Sequence, residues 1–345
     1  MTRTHRTDLL AFDIGGAAIK AADGCGWTCC VPFALWREWR GLSDVLRTIL
    51  GERTPCRVVA TMTGEIADCY PSRSAGVAHI VGAVVEASRA APSPDDAGFY
   101  RLDGAIVNAA EALRNPLSIA AANWHAVARL AAAHAETDRC FLIDVGSTTT
   151  DIIPLRDRSP APLADDDAGR MATGELVYTG CERTPVAAVV RSLPHRGLRR
   201  PVAAERFADS RDVWLQLGAL QEDPSAHDTA DGGPCTREAA RIRLARTMLV
   251  EPANFSPEDA AVAADWCGAA QARLLARALE RVTRHHGWRP TSIVISGHGE
   301  PLARRAIART GWNVAITSLP DLLGADVARV APCHALALIA GGLLA

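Results

Sequence analysis

The chain has 345 residues, enough for about two domains that each bury their own core. At 48% hydrophobic and 22% charged residues it reads as globular rather than disordered, and a net charge of −2 excludes a nucleic-acid protein held by phosphate charge. No apolar run reaches the roughly 18 residues of a membrane helix, segment 335–345 is too short to span, and polar residues 1–8 run into a glycine motif rather than a signal-cleavage site, so a cytoplasmic protein is expected.

The first element is an apolar strand, Leu9–Ile14, that carries Asp13 near its end. Gly15-Gly16 follows, then a second strand over 17–22, with small residues where the backbone must approach something closely. Lys20 lies in this second strand and is the only lysine among 37 basic residues, so a compact ammonium stands where arginine is otherwise used throughout. Residues 29–35 supply a third strand. Cys25, Cys29 and Cys30 lack a CxxC pair and read as apolar filler, and ten cysteines over this length are too dilute for a disulfide scaffold. Spacing predicts a helix over 42–50 and a buried strand at Arg57–Met62. The alanine-rich stretches 76–90 and 105–135 read as helices, the second broken at Asn115-Pro116, with Asn123 a cap for a helix starting at Trp124.

The pattern then restarts. An apolar strand over 140–145 carries Asp144, followed by Gly146-Ser147-Thr148-Thr149-Thr150-Asp151 and a strand over 152–155. Phe12-Asp13-Ile14-Gly15-Gly16 matches Ile143-Asp144-Val145-Gly146-Ser147 about 130 residues on, a duplication of architecture rather than of sequence. Polar loops are read at 156–169, with Asp165-Asp166-Asp167, and at 223–234. Helices are read over 236–249 and Pro257–His286, with arginines on solvated faces. A last buried strand, Ser292–Ser296, ends in Ser296-Gly297-His298-Gly299-Glu300 before a helix over 301–309.

A carboxylate at a strand end beside a glycine hairpin is a phosphate-binding device. Backbone N–H groups and hydroxyls take phosphate oxygens, and one or two carboxylates suit hydrated Mg²⁺. Two such hairpins facing each other would form a clamp, with Asp13 and Asp144 as metal carboxylates and Gly15, Gly16, Gly146, Ser147, Thr148, Thr149 and Thr150 on phosphate. Gly297 and Gly299 would lie at a nucleotide base, and Lys20 would add positive charge near the phosphates.

Asp13-Ile14-Gly15-Gly16 and Asp144–Asp151 resemble the two phosphate motifs of the sugar kinase/Hsp70/actin ATPase superfamily, and Ser296-Gly297-His298-Gly299 resembles its adenosine motif. The resemblance implies an α/β fold of two ribonuclease-H-like lobes, the actin-like ATPase fold, with a ligand in the cleft between them. Lobe I is expected over 1–136, completed by 325–345, and lobe II over 137–324 with a helical insertion near 205–286. Residues 13–20 (DIGGAAIK), 61–69 (TMTGEIADC), 122–126 (ANWHA), 174–185 (GELVYTGCERTP) and 204–208 (AERFA) further resemble hydantoinase/oxoprolinase-like proteins linked to tetrahydromethanopterin one-carbon transfer. That resemblance implies a transferase joining an aminomethylfuran-methyl diphosphate to γ-glutamyltyramine with release of pyrophosphate, in methanofuran-type cofactor biosynthesis.

Such a reaction needs a neutralised leaving pyrophosphate, a phenol held in line and a base for its proton. The candidates for the base are Glu65, Glu175 and Asp151, each with a capping or hairpin role as alternative. Arg183 and Arg170 are candidates to clasp an anionic substrate, against plain surface pairing, and Asn123 is a ligand candidate against its cap role. His125 and His298 read as structural, and Trp124 and Tyr178 as core. Mg²⁺ is the implied cofactor. ATP remains an alternative ligand, for an ATP-dependent hydrolase or kinase or for a non-catalytic nucleotide-binding scaffold. The apolar tail 335–345 would dock on lobe I or on a second copy in a homodimer.

Overall fold

The structure is a computed structural model that describes residues 9–53, 55, 57–89 and 97–344. The polar segment 1–8 and the ends of segments 76–90 and 335–345 read above lie outside the described residues. The chain divides into two compact units, one of Met1–Cys140, Leu155–Asp167 and Thr317–Ala345, the other of Phe141–Pro154 and Ala168–Ile316. Residues 137–140, 155–167 and 317–324 thus go with the first unit, unlike the sequence expectation.

The first sheet contains β1 (Leu9–Ile14), β2 (Ala18–Ala22), β3 (Thr28–Pro32), β4 (Arg57–Met62), β5 (Ala97–Tyr100) and β6 (Ile106–Asn108), in the order β3-β2-β1-β4-β5-β6. β1 runs antiparallel to β2 and parallel to β4, so it is central and nearly every residue along it is buried, which explains its unbroken apolar run. The register sets Lys20, Asp13 and Thr61 opposite one another on β2, β1 and β4, so their side chains share one face of the sheet. The segment read as helical from 105 begins instead with strand β6, because Ile106-Val107 pairs antiparallel with β5 before the helix Ala109–Arg114 starts. The apolar helix Ala331–Ala340 packs against β1, β2, β4 and the helix Asn123–Ala133, so the tail docks within this unit.

The second sheet is built from β7 (Arg139–Val145), β8 (Thr150–Arg156), β9 (Ser159–Pro160) and β10 (Leu176–Val177); a small ribbon, β11 (Ser192–His195) with β12 (Leu198–Pro201), precedes its last strands, β13 (Ser292–Ser296) and β14 (Ala315–Ser318). With the two-residue β9 set aside, because it pairs only with β8 off this path, its order β10-β8-β7-β13-β14 repeats the third-second-first-fourth-fifth arrangement of the first sheet. The long helix Pro257–His286 starts with a Ser256/Asp259 capping box and a proline in its first turn, and ends at left-handed Gly287. It buries Leu275, Leu279 and Val282 against Ile293 and Ile295 of β13. Among the described residues no helix is long and apolar enough to cross a membrane.

Candidate functional site

In the first unit the hairpin between β1 and β2 is closed by a hydrogen bond from the Gly15 N–H to the Ala18 carbonyl (3.1 Å). In the second, the Gly146 N–H makes the same closure to the Thr149 carbonyl (3.0 Å). Both glycines therefore spend their N–H groups on their own turns. This corrects the reading of them as phosphate donors and leaves Gly16, Ser147 and Thr148 at the hairpin tips.

Asp13 is buried with Oδ1 making no hydrogen bond. Burial raises its carboxyl above the usual range, while Lys20 and a hydrogen bond from Asn123 pull it back. Asn123 is not the helix cap expected for it. The cap position is Ala122, and the Asn123 Oδ1 takes the N–H of Trp124 (2.8 Å) while its side chain reaches Asp13. On the neighbouring strand Thr61 is fully buried with its hydroxyl unbonded.

Glu65 follows β4 in a short 3₁₀ turn, Gly64–Ile66, and is completely buried with neither carboxylate oxygen hydrogen-bonded. A Cβ on Gly76 would stand 2.2 Å from the Glu65 carbonyl oxygen, so only glycine lets the helix Arg73–Ser88 cross this close to the turn. Arg73 lies with Nη2 3.4 Å from Glu65 Oε1, too loose and misaligned for a hydrogen bond, because the same guanidinium is drawn tightly onto Asp167. Burial pushes the Glu65 carboxyl up to about 7, with Arg73 lowering it and the charges of Asp167 and Asp13 raising it. A buried carboxylate of near-neutral pKa, whose ion-pair partner Arg73 is shared with Asp167, is a typical proton acceptor.

The other base candidates are committed elsewhere. Asp151 accepts from Arg170 Nη2 (2.6 Å), and Arg170, 1% exposed, also donates to the Glu175 carbonyl (3.3 Å). Asp151 and Arg170 thus hold each other rather than a base's proton and a substrate anion. Glu175 is fully buried, takes the Thr173 hydroxyl (3.0 Å) and lies 3.4 Å from His286. The Thr150 hydroxyl also turns inward, donating to the Thr179 carbonyl (2.7 Å), and is removed from the phosphate candidates. Arg183 is exposed, anchored by its backbone N–H on the Ser147 carbonyl (2.9 Å). Replacing Arg170 by methionine is expected to cost about 3 kcal/mol, by stranding Asp151. A fall in the urea midpoint, largely recovered in Arg170→Met/Asp151→Leu, checks this; unchanged stability with a raised KM would return Arg170 to substrate binding.

Gly297 has φ +80°, and a Cβ there would lie 2.3 Å from the Val145 carbonyl oxygen and 2.6 Å from an Asp144 carboxylate oxygen. The loop after β13 is thereby pressed against the end of β7, and the Gly299 N–H bonds the Val145 carbonyl (3.1 Å). His298 is not solitary. Its Nε2 is 3.1 Å from Glu182 Oε1, a partner sequence reasoning missed. Trp124 is core as expected, whereas Tyr178 is 60% exposed. His125 bonds the Tyr100 hydroxyl (2.8 Å), and burial pushes its pKa down to about 4, consistent with a structural role.

Two sheets with the same strand order, each led by an Asp–x–Gly hairpin on its central strand, define an α/β protein of two ribonuclease-H-like lobes, the actin-like ATPase fold. The hydantoinase/oxoprolinase family model matches residues 57–318, and the chain belongs to that family. A Methanocaldococcus jannaschii protein described as (4-{4-[2-(γ-L-glutamylamino)ethyl]phenoxymethyl}furan-2-yl)methanamine synthase is 30% identical over 334 residues, covering 95% of this chain and 96% of that protein. A Methanococcus vannielii protein of the same description is 29% identical over 202 residues, 58% of this chain and 90% of that one. Among solved structures, the activator of the 2-hydroxyisocaproyl-CoA dehydratase from Clostridium difficile, with bound ADPNP, aligns over 98% of both chains at 11% identity and a TM-score of 0.41.

Proposed function

We propose that this chain is an enzyme of methanofuran-type cofactor biosynthesis, a transferase that condenses an aminomethylfuran-methyl diphosphate with the phenol of γ-glutamyltyramine. The observation that carries the chemistry is Glu65, a buried carboxylate with both oxygens unbonded and a pKa near neutrality. The Methanocaldococcus jannaschii synthase, aligned over 95% of this chain, supports the substrate class, since the product in its description contains a phenoxymethyl-furan ether.

The phenol oxygen bonds to the furanyl methylene carbon while the bond from that carbon to the diphosphate oxygen breaks. Pyrophosphate departs with the electron pair, and the phenol proton passes to Glu65. A free phenol, with pKa about 10, is a poor nucleophile at neutral pH, so a base near pH 7 contributes about 10²–10⁴-fold. The furan delocalises the developing cation, which leaves charge on pyrophosphate as the chief demand on the protein. The unbonded Oδ1 of Asp13 fits a hydrated Mg²⁺, a hard ion that takes oxygen ligands, and bound Mg²⁺ would offset leaving-group charge. Lys20 lies beside Asp13 in the sheet and supplies a compact positive charge. At the second hairpin Asp144, Ser147, Thr148 and Thr149 are proposed separately as polar groups for phosphoryl oxygens.

The test is turnover of a furanylmethyl diphosphate with a tyramine conjugate, followed as ether product and pyrophosphate in equal amounts. ATP turnover without the tyramine conjugate would favour an ATP-dependent hydrolase or kinase, and nucleotide binding without turnover a scaffold. Lys20→Arg should lower kcat by about 10-fold or more, since a forked guanidinium cannot place its charge where the ammonium sits. A wild-type rate in that variant would release Lys20 from the reaction.

A further inference from the structure

We propose that Cys181, Glu182 and His298 form a binding site for a thiophilic divalent metal ion of the Zn²⁺ class. One sulfur, one carboxylate oxygen and one imidazole nitrogen from these residues lie within 4.8 Å of one another. Ligands of a single tetrahedral ion sit roughly 3–4 Å apart, so small side-chain adjustments would bring all three onto one ion. A mixed sulfur, nitrogen and oxygen set suits Zn²⁺ or Co²⁺ and is wrong for Mg²⁺ or Ca²⁺, which take oxygen alone.

The backbone holds these side chains in place. The Cys181 N–H donates to the Gly146 carbonyl (3.0 Å), the Glu182 N–H to the Ser147 carbonyl (3.0 Å), and the Gly299 N–H beside His298 to the Val145 carbonyl (3.1 Å). All three residues are therefore pinned to the turn that ends β7. Arg211 grips Glu182 Oε2 at 2.6 Å and leaves Oε1 to face His298. The decisive detail is His298 Nε2. It is shielded from solvent and stands 3.1 Å from Glu182 Oε1, so the imidazole nitrogen and the carboxylate oxygen already face one point. A metal ion would take that nitrogen in its neutral form, together with the Cys181 thiolate and Glu182 Oε1, releasing the thiol and any imidazolium proton. Three protein ligands leave a fourth position open, as in sites where the ion meets water or substrate rather than closed structural ones.

The proposal does not depend on the diphosphate reaction, and its test needs no turnover. Purified full-length protein, stripped with chelator and titrated with Co²⁺, should show a thiolate-to-cobalt charge-transfer band that saturates at one equivalent and is bleached by Zn²⁺. Cobalt bound at Asp13 or Asp144 alone would give no such band. Cys181→Ser should remove the band. His298→Gln, at a partly exposed position, should weaken Co²⁺ binding beyond the about 10–100-fold that loss of a merely orienting partner costs. The proposal is overturned if no sulfur band appears at one equivalent, if the band survives Cys181→Ser, or if His298→Gln binds as tightly as the parent.

Discussion

Glu65→Gln is expected to slow ether formation by about 10²–10⁴-fold and, at the same time, to make the protein more stable above neutral pH. The first effect follows from removing the only described carboxylate among the base candidates that is fully buried and carries no hydrogen bond on either side-chain oxygen. In the parent, kcat/KM should rise with pH and level off above a midpoint near 7, because the base works only when deprotonated. That limb should vanish in the variant. Retention of both rate and limb would exclude Glu65 as the base.

The stability effect has a definite sign. The folded-state pKa of Glu65 is raised from 4.5 to about 7, so between those values the folded chain binds more protons than the unfolded one. Stability contributed by the protonated form is complete below about pH 4.5 and is lost as pH rises through about 7. Fully ionised, the buried carboxylate costs about 3 kcal/mol, and glutamine escapes that cost while keeping the shape. Urea midpoints of parent and variant should therefore nearly coincide at pH 4 and separate at pH 8 in the variant's favour. A constant difference at both pH values would mean that burial does not perturb this group.

The two Asp–x–Gly hairpins were legible because their signals are local: an apolar run, a carboxylate at its end and small residues in the turn. The central place of β1 follows from the same signal, since a strand buried on both faces must lie inside its sheet. What stayed hidden depends on which elements meet in three dimensions. The partner of Asn123 is on β1, 110 residues earlier in the chain, so a residue at a helix start reads as a cap unless that packing is known. Arg170 and Asp151 are both reasonable ligands taken singly, and only the helix Asp167–Thr173 beside β8 shows that they neutralise each other. Thr150 could have been read better, because alternation along a strand sends it to the face opposite Asp151. The Ile106-Val107 pair was likewise a β-signal, obscured by alanines on its C-terminal side. No spacing rule would unite Cys181-Glu182 with His298, which comes from another strand end more than a hundred residues later.

Asp13→Asn should abolish Mg²⁺-dependent turnover, by about 10²–10³-fold or more, with the fold intact. Asparagine is nearly isosteric and neutral. It leaves the Asn123 contact geometrically possible and relieves a carboxyl whose burial already raises its pKa, so folding stability should not fall. What it removes is the negative charge that sits on one sheet face with Lys20 and Thr61, together with the unbonded Oδ1 offered to a hydrated ion. Binding provides a readout independent of rate, because a ligand at 100 times its Kd stabilises the native state by about 2.7 kcal/mol. Magnesium pyrophosphate should raise the melting temperature of the parent and leave that of Asp13→Asn nearly unmoved, whereas Asp144→Asn tests the second hairpin by the same measurement. Parent-like turnover and an undiminished pyrophosphate shift in Asp13→Asn would exclude the first hairpin from the reaction, because no other described carboxylate lies in register beside Lys20.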